Sequence, residues 1–74
     1  MENNREQKRE RFKRLGTQRT NLVLQRLKVL GNCSNRSAYE YTEEDVNKIF
    51  SEIERRVRET KAKFHFPKNK EFKL

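Results

Sequence analysis

Apolar residues recur at helical spacing in two separate stretches, and this limits the fold more than any other feature of the sequence. The first set is Phe12, Leu15, Leu22, Val23, Leu27, Val29 and Leu30. At about 100° per residue it covers an arc of roughly 160°, with Leu24 outside. The second set is Val46, Ile49, Phe50, Ile53, Val57 and Phe64, a stripe only about 100° wide. Its start is sharply marked. Thr42 stands three residues before Asp45, approximating a capping box with Asp where Glu or Gln is usual. Glu43, Glu44 and Asp45 put negative charge at the positive end of the helix dipole, and Arg55, Arg56, Arg58, Lys61 and Lys63 suit the other end. Gly31-Asn32 predicts the stop of the first helix, with the glycine just past its last turn. Pro67 opposes continuation of the second and pushes Phe66 toward extended geometry.

The spacing therefore predicts an all-α fold, a two-helix antiparallel hairpin with helices near 5–31 and 43–64. The ten-residue link is longer than the 2–8 residues usual between bundled helices. Three segments are expected: a basic, partly frayed N-terminal segment (1–11), the helical hairpin (12–64) and a basic, aromatic tail (65–74).

Seventy-four residues make one domain at most, and 41% of them are charged. Leu, Ile, Val and Phe total 17, too few for a large core. A chain this short buries only about 60% of its unfolded surface, so a disulfide, a metal or assembly usually helps. Cys33 is the single cysteine and His65 the single histidine, which rules out an internal disulfide and a four-ligand zinc site within one chain. Assembly remains. The wide stripe of the first helix needs more cover than the narrow one supplies, so a homodimer or docking into a larger complex is expected to complete the fold. No run of 18 apolar residues is present to span a membrane, and the N-terminus lacks the apolar core of a signal peptide; a cytoplasmic location is expected.

Nothing in the sequence favours catalysis or a cofactor. Cys33 follows a helix end, where the dipole does not lower a thiol pKa. The Glu43-Glu44-Asp45 cluster is explained by helix electrostatics. No glycine loop that could cradle phosphates occurs, and His65 has no evident partner. The expectation is a non-enzymatic protein with no catalytic residue, metal or cofactor.

Charge points to partners. Residues 1–36 hold ten Lys/Arg against three acids, residues 37–60 four against seven, and residues 61–74 five against one. Basic ends around a mildly acidic middle suit phosphate or an acidic protein surface. The candidate phosphate contacts are Arg5, Lys8, Arg9, Arg11, Lys13 and Arg14 in the first helix, with Lys61, Lys63, Lys68 and Lys70 toward the other end. Such residues bind the nucleic-acid backbone without reading bases; the alternative is a solvated helix start that maintains solubility. In the tail, Phe alternating with Lys can stack on bases or fold back over the helices.

Three further features have two readings each. Arg19 and Arg26 fall near the middle of the first apolar arc, where an unpaired buried charge is very costly. They either reach the edge of the seam to acids such as Glu52 or Glu54, or meet a carboxylate or phosphate from outside the monomer. Gly16 either lets another helix approach or marks a break, with Thr17 opening a shorter helix. Tyr41 suits a hydrophobic staple against Val46, while Tyr39 and Arg36 can be presented outward as a contact loop. Arg19, Arg26, Arg36, Tyr39 and Tyr41 are the candidate partner-binding residues.

The strings "RFKRLGTQRTN", "LGNCSNRSAYEYTEEDVNKIF" and "KAKF" resemble a family of short uncharacterised bacterial proteins from Gram-positive genomes and their mobile elements. The shared pattern is Leu-Gly-Asn-x-Ser-Asn, Tyr-x-Tyr-Thr and Val-x-Lys-Ile-Phe, over roughly residues 11–64. The resemblance implies a bacterial or mobile-element origin and no particular activity. The functional expectation is a small accessory or regulatory protein that binds nucleic acid through its basic ends. The alternative is an inhibitor or adaptor, for example of a host defence or transcription complex, that binds protein through the 32–41 loop and its exposed stripe.

Overall fold

The computed structural model describes residues 4–66, 72 and 74. Among them the chain is all-helical, with two α-helices and no strand. It divides into two units, Met1–Glu40 and Tyr41–Leu74.

The first unit is built on α1, Asn4–Gly31. Twenty-eight residues at 1.5 Å rise make a rod about 42 Å long. The helix takes in residues 4–11, where no apolar stripe exists, because Arg, Glu, Gln and Lys are good helix formers in their own right. It also runs through Gly16 without a break, so the shorter helix opening at Thr17 is not formed. The Phe12 ring lies over Gly16, with ring atoms 3.8–3.9 Å from where a Cβ would sit. That contact covers the flexible point of the helix from one turn away, and Leu15 and Gly16 are half-buried beside it.

The first helix stops at Gly31-Asn32 as the sequence predicts, though Gly31 is its last residue rather than the one just past it. The φ of −59° and ψ of −25° at Gly31 are right-handed helical. The chain then tightens into one 3-10 turn, Asn32–Ser34, and leaves helical geometry at Asn35 (φ −68°, ψ 104°). Glycine permits the left-handed turn but does not impose it.

The second unit is built on α2, Glu43–Lys61. The capping box is complete: the Asp45 N–H donates to Thr42 Oγ1 and the Thr42 N–H donates to Asp45 Oδ2, both at 3.0 Å. Tyr41 before the cap and Val46 in the next turn are both half-buried, as a hydrophobic staple requires. The helix ends at Lys61, three residues short of the predicted 64. The Ala62 N–H still reaches Arg58 O, but Lys63 donates to Thr60 O and Phe64 to Lys61 O. These shorter loops wind the last turn tight, and Phe64 therefore lies beyond the helix.

No described residue is fully buried. Gly16→Ala is expected to raise the ellipticity at 222 nm and the melting temperature, because the new methyl makes only ordinary contact with Phe12 and alanine gains about 1 kcal/mol over glycine inside a helix. A fall in both would show that the ring cannot accommodate it.

Candidate nucleic-acid interface

The basic residues of α1 acquire an arrangement once the helix is continuous from Asn4. Projected at about 100° per residue, Arg5, Lys8, Arg9 and Arg11 fall within the same roughly 160° arc that Phe12, Leu15, Leu22 and Val29 occupy further along. Lys13 and Arg14 fall on the other side. One face of the rod is thus cationic for its first two turns and then apolar, interrupted by Arg19 and Arg26. Taken over residues 5–14 alone the six cations point nearly all round a helix; in the continuous α1 four of them line up with the apolar arc beyond. All of these cations are exposed. Arg11 and Arg14 flank Glu10 and, with Gln7, line a shallow open depression.

From Arg11 to Gly31 the helix contains no carboxylate. Arg19 and Arg26 therefore have no acid within reach on α1 itself. Both are exposed, as are Leu22, Val23, Leu24 and Val29 around them.

α2 is arranged differently. Its polar face carries a connected set of ion pairs. Arg55 reaches Glu52 at 2.5 Å and Glu59 at 2.7 Å, and Arg56 reaches Glu52 at 3.0 Å. The spacings are three and four residues, which place these side chains on neighbouring turns. The Arg55 guanidinium, and then that of Arg56, hold the Glu52 carboxyl below its ordinary range, and Glu52 in turn raises Arg55. Glu52, which the sequence offers as a partner for Arg19 or Arg26, is thus engaged by two arginines of its own helix. Lys61 and Lys63, at the end of α2, are exposed. Lys68 and Lys70 lie outside the described residues.

The link supplies the other candidate surface. Asn35 organises it. Its side-chain Oδ1 accepts from the Ser37 N–H at 3.0 Å, and its carbonyl accepts from Ala38 and Tyr39 at 3.1 and 3.0 Å. The turn leaves Arg36 exposed and Tyr39 54% exposed. Tyr41 differs: it is half-buried beside the cap of α2, so of the two tyrosines Tyr39 is the one presented to solvent. Cys33 is a free, exposed thiol in the 3-10 turn. Among the described residues no group of three His, Cys, Asp or Glu side chains could hold a metal ion, and no helix is long and apolar enough to cross a membrane.

No protein-family model matches this chain, and no curated protein and no solved structure matches it.

Acid should act on α2 through its carboxylates. The Thr42 backbone N–H, and then its hydroxyl group, hold Asp45 below the ordinary aspartate value of 3.8, and Glu52 lies below 4.5 for the reason given. A depressed carboxyl stabilises the folded form above its ordinary pKa, and that contribution disappears as pH falls through the lowered value. Ellipticity at 222 nm is expected to hold from neutrality down to about pH 5 and to decline below 3.8. The Asp45→Asn, Glu52→Gln double variant should start lower and decline less. A decline of the same size in that variant would remove these two groups from the account.

Proposed function

We propose that this is a non-enzymatic accessory or regulatory protein that binds nucleic acid through the phosphate backbone. The observation that carries this reading is the cationic first third of α1, which continues without a break into the rest of the rod. A helix about 10–12 Å across fits a major groove about 12 Å wide. Phosphates line both walls of that groove, so cations on two sides of the helix are useful there, and Lys13 and Arg14 complete the set opposite Arg5, Lys8, Arg9 and Arg11. Arg and Lys of this kind give affinity without base discrimination. Lys61 and Lys63 add charge at the end of α2, and Lys68 and Lys70 add it in the sequence beyond. The bacterial or mobile-element setting implied by the sequence resemblance belongs to the same proposal.

The test is mobility shift of a short duplex over a series of salt concentrations. Contact by all six α1 cations gives a slope of log K against log salt of about −5. Replacing Lys8, Arg9 and Arg11 by Gln should reduce that slope by about three and weaken binding to unrelated sequences alike. No binding at low salt, or binding indifferent to salt, would overturn the reading.

A second reading rests on the ordered link, where the Asn35 turn holds Tyr39 out in solvent next to Arg36. Exposed Tyr and Arg are the residue types that anchor protein interfaces. In this reading the chain is an inhibitor or adaptor that docks on a protein through the 32–41 loop. Capture of one bacterial protein that survives nuclease treatment and is lost on Tyr39→Ala supports it; capture abolished by nuclease excludes it.

A further inference from the structure

We propose that the apolar stripe of α2 is the seat of a second copy of α2, packed antiparallel, so that the protein forms a two-fold symmetric dimer through its second helix. Three features of α2 support this.

The stripe is uncovered where it should be greasiest. Phe50 is 44% exposed and Val57 57%. Along the helix Val46, Phe50, Ile53 and Val57 follow at intervals of four, three and four, the a/d alternation of a two-helix seam. That series reads the same in reverse. An antiparallel copy therefore sets Val46 against Val57 of its partner and Phe50 against Ile53, and every apolar layer finds an apolar layer.

Charge then selects the orientation and the occupant. Glu43, Glu44 and Asp45 occupy the first turn and Arg58 and Lys61 the last. Arg55 and Arg56 do not add to this contrast, because Glu52 and Glu59 already neutralise them within the helix. In the antiparallel register Glu43 of one copy, which flanks the stripe, meets Lys61 of the other at both ends of the seam, while Glu44, Asp45 and Arg58 lie further round the helix and add only longer-range attraction. The helix dipoles oppose each other as well, which favours the same orientation. A parallel pair would put acid on acid and base on base. α1 is a poorer match in chemistry, since its nine Lys/Arg and two acids give it one sign, which suits only the acidic end of α2. This inference does not depend on nucleic-acid binding, and its test contains no nucleic acid.

The test is sedimentation equilibrium of the full chain under reducing conditions, which keep Cys33 from cross-linking. The wild type should move with concentration from 9.1 kDa to twice that mass. Ile53→Asp should raise the dissociation constant at least roughly 30-fold, while Ser51→Asp, on the polar face, should leave it unchanged. The variants Glu43→Lys with Glu44→Lys, and Arg58→Glu with Lys61→Glu, should each associate about tenfold more weakly than wild type, and an equimolar mixture of the two should recover the affinity. In a parallel pair neither swap alters the like-on-like ends, so a swapped variant that dimerises as well as wild type overturns the orientation. A monomer at every concentration overturns the proposal. So does a dimer indifferent to Ile53→Asp while circular dichroism shows the helix intact; that result would place the seam elsewhere.

Discussion

The reciprocal hydrogen bonds between Thr42 and Asp45 fix where α2 begins. The first N–H groups of a helix have no partners within it, and in a chain with so few apolar residues little else could supply them. With Thr42 as the cap, Tyr41 and Val46 take the two positions of a hydrophobic staple. Within the helix so begun, spacing alone puts Phe50, Ile53 and Val57 on one face and Glu52, Arg55, Arg56 and Glu59 on another. A start one residue later would break the reciprocity of the box and leave two backbone donors to water.

Among the described residues of α1, order comes from residue types that favour helix and from Phe12 closing over Gly16. A rod of that kind presents side chains rather than enclosing them, and its chemistry is carried on its surface. The change along one face from cation to hydrocarbon follows from two sequence habits meeting in a single helix: a charge-dense beginning and a leucine-rich end. Neither stretch on its own points to a surface; their shared phase does.

Much of this was legible in the amino acids, for reasons that can be named. The start of α2 was legible because a cap is made by side chains, and Thr42 and Asp45 declare theirs. The two helical periods were legible because spacing alone defines them. The ends were less so. Gly31 can turn left-handed or stay right-handed, and here the backbone stays helical and leaves through a 3-10 turn. The last turn of α2 is decided by main-chain bonds among Thr60, Lys61, Lys63 and Phe64, which no residue type announces, whereas Pro67 advertised a later stop. The candidate site was legible as a set of charges but not as a surface, because over residues 5–14 alone the six cations point nearly all round, and the face that four of them share with Leu15 and Leu22 emerges only along the whole of α1. Tyr39 and Tyr41 already differed in sequence, since only Tyr41 stands directly before the cap residue; the structure leaves Tyr39 exposed and Tyr41 half-buried.

The lack of any carboxylate between Arg11 and Gly31 has a consequence for the two helices as materials. Ionic strength acts on them in opposite senses. In α2 dissolved ions compete with the Arg55 and Arg56 bridges and loosen them. In α1 nine Lys/Arg stand against two acids, and the same ions shield the repulsion that this excess produces, so the rod is relieved rather than weakened. An electrolyte bath that softens one half of the molecule calms the other, and a polyanion laid along α1 would do the work of that bath at a single place.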